Sequence, residues 1–372
     1  MKARHRIGID CRMIRHTGIG TYLRGLLASM NRRGILRKKD IALFGPRELE
    51  ERFPDAQHYL FEAPIYSPRE QVQYPLHLQR CRLWHAPHYN VPFLRSGAVV
   101  VATVHDLIHW IFRREYFSPA QAFYARVMLT RAVSSSGQVI CVSENTRQDL
   151  ILDFRAKPEK LTVIAEAVDP EFGPPDTRAA VDAVLEKHRL REPYFLFVGS
   201  LKPHKNVLWL LRVFRRLRVE KKIRTRLVLA GRKDRRYDET HQELASLISD
   251  PDVTWLDRVE DGDLASLYAG ALALVHPSRY EGFGLTLLEA MACGTPVLAV
   301  RTSSIPEVTG DAAFLLPDFK DEALAEALVR LEQDTDLRED LRLKGRARVM
   351  DFSWDKAADV TLEVYEKGLA GS

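Results

Sequence analysis

The chain has 372 residues, 46% of them hydrophobic and 28% charged, with a net charge of +5. That composition describes a folded protein longer than one ordinary domain and excludes a disordered chain. No run approaches the ~18 consecutive apolar residues of a membrane span; Met1 to Asp10 lacks the apolar stretch of a secretory signal, and Cys11, Cys81, Cys141 and Cys293 are too scattered for a metal-ligand set. The expectation is a cytosolic protein with free thiols.

Short apolar runs, each closed by a small or polar residue and followed by a longer segment of helical period, recur along the chain. In the first half they are Arg6–Asp10, Ile41–Gly45, Val99–Asp106, Gln138–Ser143 and Leu161–Ala165, with Leu83 to His88 a similar strand end. Asp169–Arg178 carries Pro170, Pro174 and Pro175, which neither a continuous helix nor a central strand accommodates. Beyond it the runs resume at Tyr194–Gly199, Arg226–Gly231, Ala271–Ser278 and Pro296–Val300, and between them Leu208, Leu211, Phe214 and Leu217 repeat at helical spacing. The alternation predicts parallel sheets with helices on both faces, hence two doubly wound α/β domains facing a cleft, residues 1–170 and 171–352. Helix resumes over 353–372 behind a predicted N-cap at Ser353. Ligands of such sheets bind beyond the carboxyl ends of the strands.

Two basic clusters stand out: Arg32, Arg33, Arg37, Lys38 and Lys39, then Arg212, Arg215, Arg216, Arg218, Lys221, Lys222, Arg224 and Arg226. They are read as solvated helix faces, with an anionic membrane surface or an acidic partner as the alternative. No nucleic-acid motif accompanies either, so nucleic acid is not an expected partner.

The densest signal runs from Arg279 to Pro296, R-Y-E-G-F-G-L-T-L-L-E-A-M-A-C-G-T-P. It follows a strand ending His276-Pro277-Ser278 and opens a helix that stops at Gly294. Gly282 and Gly284 let backbone amides approach an anion, and the helix N-terminus behind them suits a diphosphate. Glu281 lies on the loop and Glu289 about one turn into the helix. Two purely structural accounts stay open: Thr286 and Glu289 fit a capping box, and Glu281 serves as an ordinary loop carboxylate. His105 follows Val99–Val104 at a strand end. Pairing it with Asp106 as base and orienter is poor geometry, because neighbours in an extended chain point to opposite faces. A satisfied structural histidine is its alternative role. His85 and His88 have no evident third ligand, so a cleft-wall or acceptor-side position is expected rather than a metal.

The Glu-x7-Glu spacing within E-G-F-G-L-x-L-L-E-A-M-A-C-G-T-P-V resembles the signature of retaining family-4 glycosyltransferases of the GT-B fold. The likeness extends through Val198-Gly199-Ser200-Leu201-Lys202-Pro203-His204-Lys205-Asn206, Leu227–Gly231, Asp263 to Tyr268, Ser303 to Val308 and Phe352-Ser353-Trp354. In the first half, where it is looser, it includes Thr17 to Tyr22, Val104 to Leu107 and Val142 to Thr146. The resemblance implies a GT-B fold whose C-terminal helix, 353–372, packs back on the first domain. It also implies hexosyl transfer from a nucleotide-diphosphate sugar to a glycan or lipid-linked glycan, with no cofactor and no metal. The wording of Gly199 to Asn206 favours GDP-mannose, and a lipid-linked acceptor would place the protein on the inner membrane face.

By the same resemblance Glu281, Lys205 and His105 form the catalytic group. Glu281 would hold sugar hydroxyls beside the anomeric carbon, Lys205 would neutralise the diphosphate, and His105 would contact the donor sugar. Glu289 would accept from the ribose hydroxyls, and the backbone of Gly282, Phe283, Gly284 and Leu285 would meet the sugar or distal phosphate. Gly18 and Gly20 would bring the first domain's loop to the same phosphates. Three positions depart from the family pattern. Ser200 stands where many members have Arg, which leaves Lys202 or His204 as the second phosphate cation; Thr286 stands where Pro is common; and Asp257 stands where Gly is common, near the base. A nucleotide-sugar epimerase or inverting transferase of the same fold, and an inactive sugar-nucleotide- or polysaccharide-binding subunit, are the rivals. An epimerase needs acids and bases on both faces of the sugar, which are not found, and an inactive subunit would have lost Glu281 or Lys205.

Overall fold

The computed structural model describes residues 4–94, 97–191, 193–232 and 241–371. The chain divides into two compact units, one formed by Met1–Ala167 with Ser353–Ser372, the other by Val168–Phe352.

Among the described residues the first unit holds a seven-stranded parallel sheet. Its strands are β1 (His5–Asp10), β2 (Ile41–Gly45), β3 (Gln57–Leu60), β4 (Cys81–Ala86), β5 (Val99–Val104), β6 (Gln138–Cys141) and β7 (Leu161–Val163), in the order β3-β2-β1-β4-β5-β6-β7. The order reverses between β1 and β4, where Ile9 is opposite His85. The second unit holds a six-stranded parallel sheet of β8 (Tyr194–Val198), β9 (Arg226–Ala230), β10 (Val253–Leu256), β11 (Ala273–His276), β12 (Val297–Val300) and β13 (Phe314–Leu316), in the order β10-β9-β8-β11-β12-β13. Here the reversal falls between β8 and β11, paired through Leu196 and Leu274. Such reversals splay the flanking connections apart and open a crevice at the carboxyl edge.

Central strands of these sheets are covered on both faces, and so they are apolar throughout rather than alternating. All five residues of β8, Tyr-Phe-Leu-Phe-Val, are buried. The Val207–Val219 helix covers that sheet with Val207, Leu210, Leu211, Val213, Phe214 and Leu217, one face at 3.6-residue spacing. Three strands are absent from the apolar runs. β3 is an edge strand, Gln-His-Tyr-Leu, with its ends exposed; β10 and β13 are the two edges of the other sheet, and β13 is only three residues long. None of these positions demands an apolar run.

The Trp354–Ala370 helix begins at Ser353, whose hydroxyl accepts from the Asp355 amide at 3.2 Å. It buries Trp354, Ala357, Ala358, Thr361, Val364, Tyr365 and Gly368, a continuous stripe against the first unit. Tyr365 and His85 meet at 2.6 Å (OH to Nδ1), and the Trp354 ring lies edge-on to Tyr22.

Both basic clusters meet carboxylates from distant segments. Arg32 and Arg33 pair with Asp355 and Asp359, and Lys39 with Glu366. Arg212 pairs with Glu243, Arg218 with Asp252 and Arg216 with Asp321. These exposed pairs contribute little stability and offset part of the charge on each basic face.

Candidate functional site

In the second unit the crevice between β8 and β11 collects the residues singled out in the motif. β8 runs into Gly199, and Pro203–Lys205 form a single 3-10 turn that returns Lys205 to the strand end. From the other side β11 ends at His276, and the loop that follows carries Glu281. Lys205 Nζ donates to both Glu281 carboxylate oxygens, at 2.6 Å (Oε1) and 2.9 Å (Oε2), and His276 Nε2 lies 2.9 Å from Oε1. The loop backbone is clamped as well. The Glu281 amide donates to Ser303 Oγ at 2.9 Å, and the Ser304 hydroxyl donates to the carbonyls of Glu281 (3.0 Å) and Phe283 (2.8 Å).

Glu281 is only 7% exposed. Burial alone would raise its carboxyl, but the Lys205 charge and the His276 hydrogen bond outweigh burial and hold it well below the usual carboxylate range. A buried, ionised, two-donor carboxylate next to a cation is an arrangement for binding hydroxyls or stabilising positive charge. It is unsuited to act as a general acid.

The Leu285–Ala292 helix starts behind Gly284, which sits at the N-cap with φ 108°, a left-handed conformation that favours glycine. No side chain caps this helix at Gly284, so no side chain there competes with an anion for the positive end of its dipole. The capping-box account of Thr286 and Glu289 is thereby corrected. The helix begins before Thr286, whose hydroxyl lies 3.4 Å from His276 Nδ1, and Glu289 accepts from Tyr268 OH at 2.9 Å. Tyr268 is held by the Thr295 hydroxyl on its carbonyl, 2.6 Å, and by the edge of Phe172.

The Glu289 carboxyl is pushed up to about 7 by burial, with the charges of Glu171 and Asp169 adding and the Tyr268 hydrogen bond opposing. A raised carboxyl binds its proton more tightly in the folded state, so its ionisation weakens the fold as pH rises from about 4.5 to about 7. The penalty is absent below that window and complete above it. Chemical denaturation of wild type and Glu289→Gln at pH 4.5 and 8 should show the variant gaining on wild type at the higher pH, by on the order of 2–3 kcal/mol. Parallel pH dependence in the two proteins would refute the shift.

Other predicted residues of this unit lie around the same turn. Ser200 follows Gly199 directly, Lys202 is half-buried at the head of the Pro203–Lys205 turn, and His204 is buried within it. Gly282 and Phe283 are buried in the clamped loop, with Leu285 half-buried at the helix start. Asp257 directly follows β10 and is exposed.

In the first unit, His105 lies just past β5. Its Nδ1 is 2.9 Å from Glu166 Oε1 and its Nε2 3.0 Å from the Pro87 carbonyl, with the Tyr22 ring edge-on. The carboxylate partner is therefore Glu166, 61 residues away, while Asp106 accepts from the Ile108 amide at 2.9 Å and closes a turn. Gly18 caps the Ile19–Arg32 helix with φ 73°, and a Cβ on buried Gly20 would lie 2.6 Å from the Ile14 carbonyl oxygen. His85 departs from its expected cleft-wall position. It is fully buried, with Nδ1 on Tyr365 and Nε2 on Thr103 at 2.8 Å. His88, also buried, engages Tyr66 OH and accepts from the Asn90 amide, both at 3.2 Å.

Five residues of these sites carry no signal of their role in the sequence: His276 reads there only as a strand end, Tyr268, Ser303 and Ser304 only as parts of stretches that resemble the family, and Glu166 lies in no motif. A further buried group joins Asp10, Arg12 and Glu70. Arg12 reaches Asp10 at 2.6 Å and Glu70 at 3.0 Å, and Glu70 in turn bonds Asn90. Asp10 ends β1, Arg12 follows it and Glu70 lies in the Pro68–Leu78 helix, and single acidic and basic residues at such places carry no periodic signal that would reveal their partners.

Comparison with known proteins matches both units. Residues 16–172 fit the family described as Glycosyltransferase Family 4, and residues 183–348 fit Glycosyl transferases group 1. The chain is similar to O-antigen chain mannosyltransferase B of Escherichia coli, 30% identical over 83% of this chain and 81% of that one. It is also similar to the MMP alpha-(1->4)-mannosyltransferase of Mycolicibacterium hassiacum, 32% identical over 74% of this chain and 67% of its relative. In three dimensions it resembles Anabaena Alr3699/HepE, solved in complex with UDP and glucose. That likeness has a TM-score of 0.76 and 17% identity over 97% of this chain and 99% of the other, which speaks to the fold alone.

Proposed function

The chain belongs to the family-4 glycosyltransferases of the GT-B fold and is a hexosyltransferase, and from that premise we propose that it moves a mannosyl group from GDP-mannose, with retention, onto a glycan or lipid-linked glycan. The observation that carries this reading is the Lys205–Glu281–His276 group at the head of an uncapped helix, in a chain whose relatives above include two mannosyltransferases.

The donor diphosphate lies against the helix amides and takes the Lys205 ammonium as its counter-charge. The bond from the anomeric carbon to the phosphate oxygen breaks as the acceptor hydroxyl attacks the same face, and the departing phosphate oxygen takes the hydroxyl proton. No protein base is needed. Lys205 and the amides stabilise charge building on the leaving group, and Glu281 stabilises positive charge on the sugar. Glu289 accepts from the ribose. His105 contacts the sugar by exchanging the Pro87 carbonyl on Nε2 for a sugar hydroxyl, while Glu166 keeps its ring oriented. The basis for rejecting an inactive subunit is that Lys205 and Glu281 are both present and paired.

A lipid-linked acceptor would bring the protein to the inner membrane face as a peripheral enzyme. No helix among the described residues is long and apolar enough to cross a membrane.

Neutralisation by Lys205 and amides leaves no task for a divalent ion. Asp-x-Asp triplets do occur, at Asp250 and Asp252, Asp261 and Asp263, and Asp334 and Asp336. Asp252 pairs with Arg218 at 2.7 Å, Asp263 with Lys187 at 2.7 Å, and Asp334 caps a helix at the Leu337 amide. Transfer from radiolabelled GDP-mannose should therefore proceed undiminished in excess chelator. Activity that vanishes in chelator and returns with magnesium or manganese would overturn this point. A screen of GDP-, UDP- and ADP-sugars by thermal shift tests the donor, since a tight ligand stabilises by mass action.

A further inference from the structure

We infer that His276 and Thr286 form a positioning relay that holds and orients Glu281 when Lys205 turns from it to the donor diphosphate; this rests on the roles of Glu281 and Lys205 proposed above.

His276 is the last residue of β11 and 1% exposed. Its ring bridges two elements, with Nε2 2.9 Å from Glu281 Oε1 on the loop and Nδ1 3.4 Å from Thr286 Oγ1 on the helix. A carboxylate only accepts, so Nε2 carries the proton in this bond, and in the neutral ring of the relay Nδ1 accepts from the Thr286 hydroxyl. The threonine thus fixes the tautomer that points a donor at Glu281.

The need for a second donor follows from burial. Lys205 holds both Glu281 oxygens in the unliganded protein, at 2.6 and 2.9 Å. One ammonium cannot serve both this carboxylate and a diphosphate in full. Were Lys205 its sole partner, binding the donor would strand a buried charge, a costly state. His276 removes that conflict. It retains Oε1 as Lys205 leaves, and Oε2, which accepts from Lys205, is released to accept from a sugar hydroxyl. The relay converts an ion pair into a site with one fixed and one free carboxylate oxygen.

The test compares His276→Leu, His276→Gln, Thr286→Val and Thr286→Ser with wild type and Glu281→Gln, measuring kcat against pH and GDP affinity by calorimetry. Losing a hydrogen bond to a carboxylate is expected to lower kcat about ten- to a hundredfold in His276→Leu, and losing a neutral one about two- to tenfold in Thr286→Val. GDP affinity stays within about twofold in both, because neither touches the nucleotide. Without its second donor Glu281 protonates more readily, so the acid limb of kcat moves to higher pH. Thr286→Ser keeps the wild-type profile, and His276→Gln, whose side-chain amide can donate, recovers part of it. Nitrogen NMR of the His276 ring should show Nε2 protonated and Nδ1 bare. An unmoved acid limb in Thr286→Val, a Thr286→Ser profile that matches Thr286→Val, or the opposite tautomer overturns the relay. The threonine pair keeps the test decisive if His276→Leu does not fold. Full turnover in Glu281→Gln would overturn the proposed role of Glu281 itself, whereas a crippled Glu281→Gln beside silent Thr286 and His276 variants sinks only the relay.

Discussion

Glu281→Gln should lower turnover at saturating donor by on the order of a hundredfold or more while the affinity for free GDP changes little. The substitution keeps the volume and removes the charge, so the loop clamped by Ser303 and Ser304 can remain in place. In the role proposed for Glu281, what it removes is the negative charge beside the anomeric carbon, where positive charge builds only in the transition state. An interaction realised only there lowers kcat and leaves ground-state binding intact. Two effects must be separated. Lys205 loses its partner in the unliganded protein, and leaving a buried cation unpaired costs stability; denaturation curves report that loss directly. If Glu281 is merely a structural loop carboxylate, the variant will show lower stability with wild-type turnover, and the catalytic assignment is wrong.

The second large effect is expected at the nucleotide. Glu289→Ala should weaken GDP about ten- to a hundredfold, the usual range for a hydrogen bond to a charged group, with kcat at saturating donor close to wild type. Ribose hydroxyls are bound alike in the ground and transition states, so their loss appears in affinity rather than turnover. Tyr268 bonds Oε2 of this carboxylate at 2.9 Å, and the proposed ribose contact falls to the other oxygen. A double-mutant cycle with 2′-deoxy and 3′-deoxy GDP sharpens the test. The deoxy analogues should bind wild type more weakly than GDP but bind Glu289→Ala about as well as GDP does. Undiminished GDP affinity in Glu289→Ala would mean that the residue serves only its helix and Tyr268.

Much of this architecture is legible without coordinates. Runs such as Tyr194–Gly199 and Pro296–Val300 read as buried parallel strands because a strand covered on both faces must be apolar throughout, and β8 and β12 lie within them. The turn after β11 was legible for a different reason. Gly284 with φ 108° at a helix start is a backbone requirement that few residues meet. β3, β10 and β13 were not, since edge and very short strands are under no such demand.

The sequence by itself determined the α/β alternation, the family and the short list of polar residues at the strand ends, because periodicity and backbone conformation are local properties. Which of those residues meet was decided by the tertiary structure. Lys205 and Glu281 lie 76 residues apart in the chain and 2.6 Å apart in space because β8 and β11 are neighbours across the strand-order reversal. Glu166 rather than Asp106 orients His105, since adjacent residues of an extended chain diverge while the end of β7 comes back to the end of β5 across β6. Thr286 meets His276 instead of capping its helix because that helix begins at Gly284. The basic runs around Arg33 and Arg212 gain acidic partners only when Asp359 and Glu243 are folded against them. Partners of this kind are set by strand order and helix docking, and no local pattern in the chain encodes them.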